Sequence, residues 1–513
     1  MEPPKRNRRF FLKSVAGAGI LASPLGNLTF SSTSPRALPG SKVEGDFLRH
    51  NDIPWALETR RSSFGFGPIT PESHFFVRNN LPMPSAAILG QRDQWHIQVN
   101  GVEQPGSVTL AELKSLKRHT VATVLQCSGN GRAFFTHNPS GSQWGVGAAG
   151  CALWAGVSVA DVLAHFGGAK DGLAFLSCTG GETIPEGIDK DQVIVERSIP
   201  MDKALKDCLL VWEMNGAPLS WTHGGPVRLI VPGYFGVNNV KWIKQLAVTR
   251  EESNAKIQQS GYRLRDIGEA GGPQHASMYR MPVKSWINGP GADDMPVLAG
   301  KQVFYGVAFA GERGIKQVEV SLNNGTQWHK AEFVGPDLGI NAWRVFQYPV
   351  ELPTGEHRVF CRAQDGDGEW QPRERIENQR GYGQNGWQDL GLTFTAFAEL
   401  PLNPMVAAPE AVATNKLSTP VPITDKPATL SLVAQRGREI FLNQAQPGCG
   451  VCHTSKDAGS QGAVGPNFNQ LKPSLANVKQ AVTQGVGIMP AYGGQLNSQE
   501  INALATYVFE ASR

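Results

Sequence analysis

Near its C-terminal end the chain carries two cysteines, two residues apart, that are followed at once by a histidine: Cys449-Gly450-Val451-Cys452-His453. This spacing lets both thiols bond to the vinyl groups of one porphyrin while the adjacent imidazole binds its iron. A zinc site would need two more Cys or His ligands, and neither residue type occurs after His453. The motif therefore predicts one covalent c-type haem, attached at Cys449 and Cys452, with His453 as an axial iron ligand.

The residues after this motif predict a second iron ligand and a helical domain. Met489 is the only methionine that follows the motif, and a thioether ligand favours ferrous iron, so we expect Met489 to be the other axial ligand. Apolar residues at helical spacing follow Ser498, and Asn497 with Glu500 fits a helix cap. They are Ile501, Leu504, Ala505 and Val508. We expect an all-α domain over residues 429–513 that carries single electrons, which another part of the protein must supply.

The chain is long enough for several domains, because 513 residues exceed what one hydrophobic core usually organises. Residues 401–428 hold six prolines without an apolar period, which predicts a semi-stiff linker ahead of the last domain. The high counts of 58 glycines and 35 prolines predict that the rest is rich in strands and loops.

The first residues read as a targeting signal rather than as part of a fold. Residues 1–13 have a net charge of +4, equal to that of the whole chain, so the remainder is neutral and no nucleic-acid partner is expected. The paired Arg8 and Arg9 precede Phe-Phe-Leu-Lys and the modest apolar run from Val15 to Ala22. This segment resembles a twin-arginine export signal; the alternative is a short basic amphipathic arm. We expect residues 1–40 to be signal and leader, and the mature chain to be periplasmic, exported folded and without a membrane span.

Two patterns divide the chain between this leader and the linker. Over residues 45–270, strand-like runs alternate with Gly-rich loops and short helical patches, which predicts an α+β domain. Over residues 275–398, strands recur at even spacing, and Val318, Val320 and Leu322 alternate with polar neighbours. This second pattern is typical of an all-β sandwich.

One cysteine of the α+β region stands out by its position. The haem motif leaves five of the seven cysteines, an odd number, so at least one stays unpaired. Cys127 ends an apolar strand and opens the polar loop Ser128-Gly129-Asn130-Gly131-Arg132. By itself such a cysteine is usually a small buried apolar residue.

The sequence around Cys127 indicates a different role for this residue. A strand-end cysteine followed by Gly-Asn-Gly-Arg resembles the molybdenum-ligand loop of the sulfite oxidase family, and the similarity extends over about residues 45–397. The further stretches that carry it, in family order, are Phe75 to Pro82, Glu213 to Gly216, His223 to Arg228, Val231 to Gly233, Val240 to Trp242, and Gly311 to Arg313 ahead of Val318 to Ser321. The chain looks like a bacterial sulfite dehydrogenase fused to a class I cytochrome c domain. The resemblance implies a multidomain fold, with an α+β molybdopterin domain, an immunoglobulin-like dimerisation sandwich and a possible homodimer.

The resemblance also assigns roles to individual residues. Cys127 would bind molybdenum, and the Mo-molybdopterin cofactor would be held by Arg78, Asn79, Asn80, His223, Arg228, Asn239 and Lys241. Arg78, Arg132 and Arg313 would line an oxyanion pocket, since guanidinium groups suit small trigonal dianions. Tyr262 would hydrogen-bond substrate oxygen. The alternatives are solvated surface charges, a buried core histidine at His223 and a structural tyrosine at Tyr262.

Taken together, these features predict a sulfite dehydrogenase that passes electrons singly from molybdenum to its own haem and on to an external cytochrome c. One departure concerns the substrate, because sulfite-oxidising members commonly have histidine where this chain has Asn80. Asn80 cannot carry a charge, which leaves room for another sulfur oxyanion, a sulfur-bearing carrier or oxo transfer in the reductive direction. A further alternative is an electron-carrying cytochrome whose large domain serves only for docking.

Overall fold

The computed structural model describes residues 42–51, 54–185, 188–401, 430–462, 465–485 and 489–513. The expected signal and leader at 1–40 lie outside the described residues, as does the expected linker apart from Pro401. Three types of structure follow each other along the chain: a mixed α/β domain, an all-β domain and a helical domain. This is the order of domain types that the sequence predicts.

The mixed domain is built on small sheets joined by short helices. Its strands are β1 (Lys42–Glu44), β2 (Phe47–Asn51), β3 (Ala56–Thr59), β4 (Val77–Arg78), β5 (His96–Asn100), β6 (Gly106–Thr109), β7 (Arg118–Gln126), β8 (Ala149–Ser158), β9 (Phe175–Thr179), β10 (Glu196–Pro200), β11 (Leu209–Met214), β12 (Ala217–Pro218), β13 (Arg228–Ile230), β14 (Gln245–Thr249), β15 (Arg263–Leu264) and β16 (Ala276–Ser277). Its α-helices are α1 (Leu110–Ser115), α2 (Val159–His165), α3 (Lys190–Val193) and α4 (Met201–Asp207). Short 3-10 segments cover Arg61–Phe64, Glu72–His74, Arg132–Phe134 and Gly236–Asn238, a longer one with a kink at Gln91 covers Ala86–Gln94, and a π-helix covers Ile257–Gly261.

Two of these sheets form the body of the domain. One has the strand order β10-β9-β14-β5-β6, and the other runs β12-β11-β8-β7 with β13 added beside β11. Strand β7 becomes fully buried towards its C-terminal end, where Val124 and Leu125 enter the core. Its last residue therefore delivers Cys127 into the interior rather than to the surface.

The all-β domain is a sandwich of two sheets with the orders β17-β19-β23-β22 and β18-β25-β24-β20-β21. Its strands are β17 (Lys284–Gly289), β18 (Val297–Leu298), β19 (Gly300–Phe309), β20 (Ile315–Ser321), β21 (His329–Lys330), β22 (Glu332–Val334), β23 (Arg344–Leu352), β24 (Gly355–Asp365) and β25 (Leu392–Phe397), and a 3-10 turn covers Ala292–Asp294. Phe304 of one sheet meets Phe394 of the other with ring centroids 5.8 Å apart. Val318 and Val320 point into this core, as their alternation with polar residues predicts.

In the helical domain, the first helix, α5, packs against the last helix, α9. Its elements are α5 (Leu432–Glu439), a π-helix (Ile440–Gln444), α6 (Cys449–Cys452), β26 (Thr454–Ser455), β27 (Ser460–Gln461), α7 (Phe468–Leu471), α8 (Leu475–Gln484) and α9 (Ser498–Ala511). Helix α9 starts in a capping box formed by Asn497 and Glu500, as predicted. Across the described residues, no helix combines the length and apolar character required to cross a membrane.

Candidate metal centres

Cys127 lies at the turn that leaves β7. Its backbone N–H donates to the carbonyl of Ala148 over 2.9 Å, and its own carbonyl accepts from the N–H of Asn130 over 2.9 Å. Its side chain lines a cleft of about 680 Å³, and the residue is 8% exposed. A single buried thiol is thus held at the wall of a cleft.

One end of this cleft is lined by buried basic side chains. Burial and the neighbouring Lys241 and Arg228 lower the pKa of His223 well below its usual value. Burial, and then Arg228, lowers the pKa of Lys241, and burial lowers the pKa of Arg228 to about 9. Cations crowded together away from water are unfavourable unless an anion joins them.

The hydrogen bonds at this end leave donors for such an anion. Lys241 Nζ donates to Asn79 Oδ1 over 2.8 Å and to the carbonyl of Thr222 over 2.6 Å. Arg228 donates to the carbonyls of His223 and Asn239 over 2.8 Å each. Within the described structure, Asn79 Nδ2 and Arg228 Nε are buried without an acceptor. The donor set fits a phosphate group, such as that of molybdopterin.

Asn239 supports this cleft through the backbone. Its Oδ1 accepts from the N–H of Val231 over 2.7 Å, and its Nδ2 donates to the carbonyls of Phe235 over 3.1 Å and Tyr234 over 3.4 Å. Its own carbonyl accepts from Arg228. The residue lines the cleft, but its side chain fixes the loop after β13.

Asn80 joins two residues for which the sequence predicts catalytic roles. Its Oδ1 accepts from Arg78 Nη2 over 3.0 Å and from Tyr262 Oη over 3.1 Å. All three residues line the same cleft as Cys127. Burial and the adjacent Tyr382 raise the pKa of Tyr262 to about 12, so its hydroxyl stays protonated at neutral pH.

Neither Arg132 nor Arg313 is among the residues that line this cleft. Arg132 is buried and donates to the carbonyls of Arg380 over 2.9 Å and Ser142 over 2.8 Å. Arg313 lies in the sandwich domain and forms an ion pair with the buried Asp365 over 2.6 Å. The structure thus brings together Cys127, Arg78, Asn79, Asn80, His223, Arg228, Asn239, Lys241 and Tyr262, but not these two arginines.

The sequence reading overlooked two ionisable residues near the cleft. Arg380 is 7% exposed, and its Nε has no acceptor in the part of the chain that is described. Its loop also carries Tyr382, whose ring stacks on Tyr262 at 5.3 Å. Glu182 lines the cleft, and burial raises its pKa to about 8. The glycine-flanked Arg-Gly-Tyr-Gly segment at 380–383 was the available signal for the first, but Glu182 had none.

The haem motif presents its histidine in the form that binds iron. The Nδ1–H of His453 donates to the carbonyl of Pro466 over 3.0 Å, which leaves the lone pair on Nε2. Burial lowers the pKa of His453 to about 4, so the ring is neutral. A Cβ at Gly465 would lie 2.4 Å from the ring, so only glycine fits there. These features fit an axial iron ligand.

The other haem residues lie in the same domain. Cys449 is buried and Cys452 is half-buried, and neither is in a disulfide. Met489 packs at the edge of the apolar core of the helical domain. Two free thiols beside a neutral imidazole fit covalent haem attachment.

None of the seven cysteines is paired, so an odd count does not distinguish Cys127 from the others. Cys151, Cys178, Cys208 and Cys361 are buried, and burial raises the pKa of each thiol. What distinguishes Cys127 is that it lines the cleft.

Comparison with known families agrees with this division of the chain. Residues 81–257 match the oxidoreductase molybdopterin binding domain, and residues 275–393 match the Mo-co oxidoreductase dimerisation domain. Residues 433–508 match the family described as cytochrome C oxidase, cbb3-type, subunit III.

Individual relatives cover the first two domains. Sulfite oxidase of Gallus gallus is 32% identical over 390 residues, which are 71% of this chain and 80% of that protein. Mitochondrial sulfite oxidase of Homo sapiens is 34% identical over 340 residues, and the matched part spans 62% of this chain and 60% of the human protein. The chain likewise spans 60% of the length of the Rattus norvegicus protein.

A solved structure has a similar fold. The sulfane dehydrogenase SoxCD from Paracoccus pantotrophus superposes with a TM-score of 0.58 at 25% identity, covering 73% of this chain and 96% of that one. With the match to 80% of the Gallus gallus protein, this shows that the chain belongs to the sulfite oxidase family and carries a cytochrome c domain after its two molybdenum-enzyme domains.

Proposed function

We propose that this protein is a periplasmic molybdenum–haem oxidoreductase that oxidises sulfite to sulfate. Sulfite and water give sulfate, two protons and two electrons, and the electrons leave one at a time through the haem to an external cytochrome c. The observation that carries this proposal is the cleft that Cys127 lines together with Arg78, Asn80 and Tyr262. A haem-type domain on the same chain accounts for the onward path of the electrons.

The residues of the cleft form two groups, one that binds the cofactor and one that binds the substrate. Cys127 is the molybdenum ligand, while His223, Arg228 and Lys241 hold the anionic end of the pterin, with Asn79 orienting Lys241. The molybdenum group, when bound, supplies two-electron oxygen-atom transfer. The protein supplies the charge and the shape around it.

The substrate end uses a guanidinium and a phenol. Arg78 offers forked N–H donors to a sulfur oxyanion, and Tyr262 Oη donates to whichever oxygen is nearest. Asn80 holds both donors in place through one oxygen atom. Arg380 does not line this cleft, but its guanidinium lies 5.6 Å from the ring of Tyr382, which stacks on Tyr262.

The remaining parts of the proposal concern the haem and the assembly. Cys449 and Cys452 attach one haem, and His453 and Met489 are its axial ligands. The sandwich domain pairs two copies in a homodimer, and the N-terminal twin-arginine signal exports the folded, loaded protein. For Arg132 and Arg313 we propose supporting roles: Arg132 shapes the Cys127 loop, and Arg313 anchors its own loop through Asp365.

The test is haem reduction by sulfite in full-length protein loaded with molybdenum and haem. Sulfite should reduce the haem, and steady-state turnover with ferricytochrome c should require molybdenum. Cys127→Ser is expected to lose turnover while it retains the haem spectrum. Loaded wild-type protein whose haem stays oxidised in sulfite would contradict the proposal.

A second candidate is oxidation of another sulfur species, such as a sulfane sulfur on a carrier. Asn80 favours it, because an uncharged carboxamide weakens the attraction for a small dianion, and the solved structure with the similar fold is named a sulfane dehydrogenase. Competition separates the two candidates. If sulfite is the substrate, thiosulfate and protein persulfides will reduce the haem more slowly than sulfite at equal concentration.

A further inference from the structure

The helical domain faces the mixed domain across a second cavity of about 1,780 Å³, which we call the interdomain cleft. The mixed and sandwich domains contribute Lys256, Arg265 and Arg380 to its lining, together with Asp189 and Glu269. The helical domain contributes only uncharged residues, among them Cys452, Gln484 and Pro490. The cleft thus reaches one haem-attaching cysteine and the residue after Met489.

The two sides of this cleft differ in charge. Each charged side chain that lines it comes from the mixed or sandwich domain, whereas the residues from the helical domain are neutral. A contact across such a surface has to use hydrogen bonds to neutral groups rather than ion pairs.

Among the residues that the structure describes, two hydrogen bonds join the helical domain to the rest of the protein beside the interdomain cleft. Lys256 Nζ donates to the backbone carbonyl of Met489 over 2.8 Å. Gln379 Nε2 donates to Gln484 Oε1 over 3.2 Å. The first is charge-assisted, and such bonds are about twice as strong as neutral ones. It therefore fixes the backbone of the residue that we assign as an axial iron ligand.

Lys256 also belongs to the segment that leads to the cleft lined by Cys127, Arg78 and Tyr262, which we call the molybdenum cleft. It directly precedes the π-helix Ile257–Gly261, and Tyr262 follows that helix. Tyr262 donates to Asn80 in the cleft. One seven-residue segment, 256–262, therefore touches the proposed haem ligand at its first residue and the proposed substrate site at its last.

We propose that Lys256 is a positioning residue, which docks the haem domain on the molybdenum domain by holding the Met489 backbone at the interdomain cleft. The partner of this surface is the chain's own cytochrome domain. The inference rests on the proposed function in one respect, since it takes Met489 as the iron ligand. It predicts that internal electron transfer depends on Lys256, whereas chemistry at the molybdenum cleft does not.

The test compares full-length loaded variants. Lys256→Met removes the donor, Lys256→Arg restores one, and Gln484→Ala removes only the weaker contact. Lys316→Met is the matched control, because Lys316 is exposed on β20 of the sandwich. Stopped-flow haem reduction at saturating sulfite should slow about tenfold in Lys256→Met, as expected for one lost charge-assisted bond. It should stay within about twofold of wild type in Lys256→Arg and Lys316→Met, with Gln484→Ala in between.

Two further measurements distinguish a loss of domain docking from a loss of activity at the molybdenum cleft. Sulfate formed in the first turnover, which is complete at the molybdenum cleft before an electron reaches the haem, should appear at an unchanged rate in Lys256→Met. Hydrogen exchange of peptides spanning 489–496 should be about fivefold faster in that variant. Wild-type haem reduction and exchange in Lys256→Met would overturn the inference, as would an equal slowing of first-turnover sulfate formation. If sulfite fails to reduce the wild-type haem, the proposed function fails instead, and hydrogen exchange still decides the role of Lys256.

Discussion

The carboxamide oxygen of Asn80 is the acceptor shared by Arg78 and Tyr262, so it controls where both donors point. Asn80→Leu keeps the size of the side chain but removes that acceptor. Two lost hydrogen bonds of about 1.4 kcal/mol each should lower kcat/KM for sulfite on the order of 100-fold. Steady-state kinetics with ferricytochrome c measure it. Asn443→Leu, at an exposed site of the helical domain, is the control and should match wild type. An Asn80→Leu enzyme with wild-type kcat/KM would show that Asn80 orients neither donor.

Lys284 is a fully buried lysine behind the Cys127 loop. It reaches from β17 and donates to the carbonyl of Asn130 over 3.2 Å. Burial lowers its pKa from 10.5 to about 7. Between those two pH values the unfolded chain holds a proton that the folded chain lacks, so Lys284 costs stability below pH 10.5 and the cost is complete below pH 7.

Lys284→Met should therefore stabilise the protein most at low pH. We expect its urea midpoint to exceed that of wild type at pH 6 by an amount worth a few kcal/mol, less about 1 kcal/mol for the lost hydrogen bond. The advantage should shrink by pH 9.5, because the wild-type lysine is then neutral when folded. Urea titrations at the two pH values measure it, and a difference independent of pH would contradict it.

The sequence could not predict which side chains contact each other in the site. Arg313 and Asp365 are 52 residues apart, and their ion pair depends on how β20 and β24 meet. The same holds for Arg380, whose position beside Tyr382 and Arg132 follows from the packing of the sandwich domain on the mixed domain. Cys127 and Arg78 could be predicted from the sequence because each lies in a motif that resembles a motif of a known family.

At the scale of elements, the crossing of α5 and α9 closes the haem domain. A Cβ on Gly437 of α5 would lie 2.0 Å from the carbonyl oxygen of Ala503 on α9, a distance that backbone atoms cannot relieve. Gly437→Val should therefore separate the helices and abolish stable haem attachment, since overpacking of this kind costs several kcal/mol.

The measurement is haem content by pyridine haemochrome, alongside molybdenum content by elemental analysis. Gly437→Val should lose haem while it keeps molybdenum, because the buried core of the helical domain shares no residue with the cores of the other two domains. Gly494→Ala is the matched control, since no atom lies within 4 Å of its added Cβ. Full haem content in Gly437→Val would show that α5 and α9 do not contact each other at Gly437 and Ala503.

Elements with a strong apolar period were predictable from sequence. Helix α9 starts at Ser498 behind its Asn497 cap, as the apolar spacing indicates. The predicted alternation holds at Val318 and Val320 but not at the exposed Leu322, because β20 ends at Ser321, whose hydroxyl accepts from the N–H of Gly325. The π-helix Ile257–Gly261 was not predicted, since a single widened turn leaves no period of its own.

For the whole molecule, the charge difference across the interdomain cleft makes a prediction about salt. The helical domain lines it with neutral residues only, and Lys256 meets a carbonyl rather than a carboxylate. Salt screens attraction between exposed charges but has little effect on a hydrogen bond to a neutral group. Internal electron transfer should therefore change less than about twofold between roughly 0.05 and 0.5 M NaCl, measured as haem reduction at saturating sulfite.

The sulfite KM provides the internal control for this experiment. Arg78 and the buried basic residues of the molybdenum cleft attract a dianion, so the KM should rise with salt over the same range. A rising KM with a constant haem-reduction rate would mean that salt reaches the substrate site but does not loosen the docked haem domain. A haem-reduction rate that falls about tenfold with salt would show that charged groups outside the interdomain cleft hold the domains together.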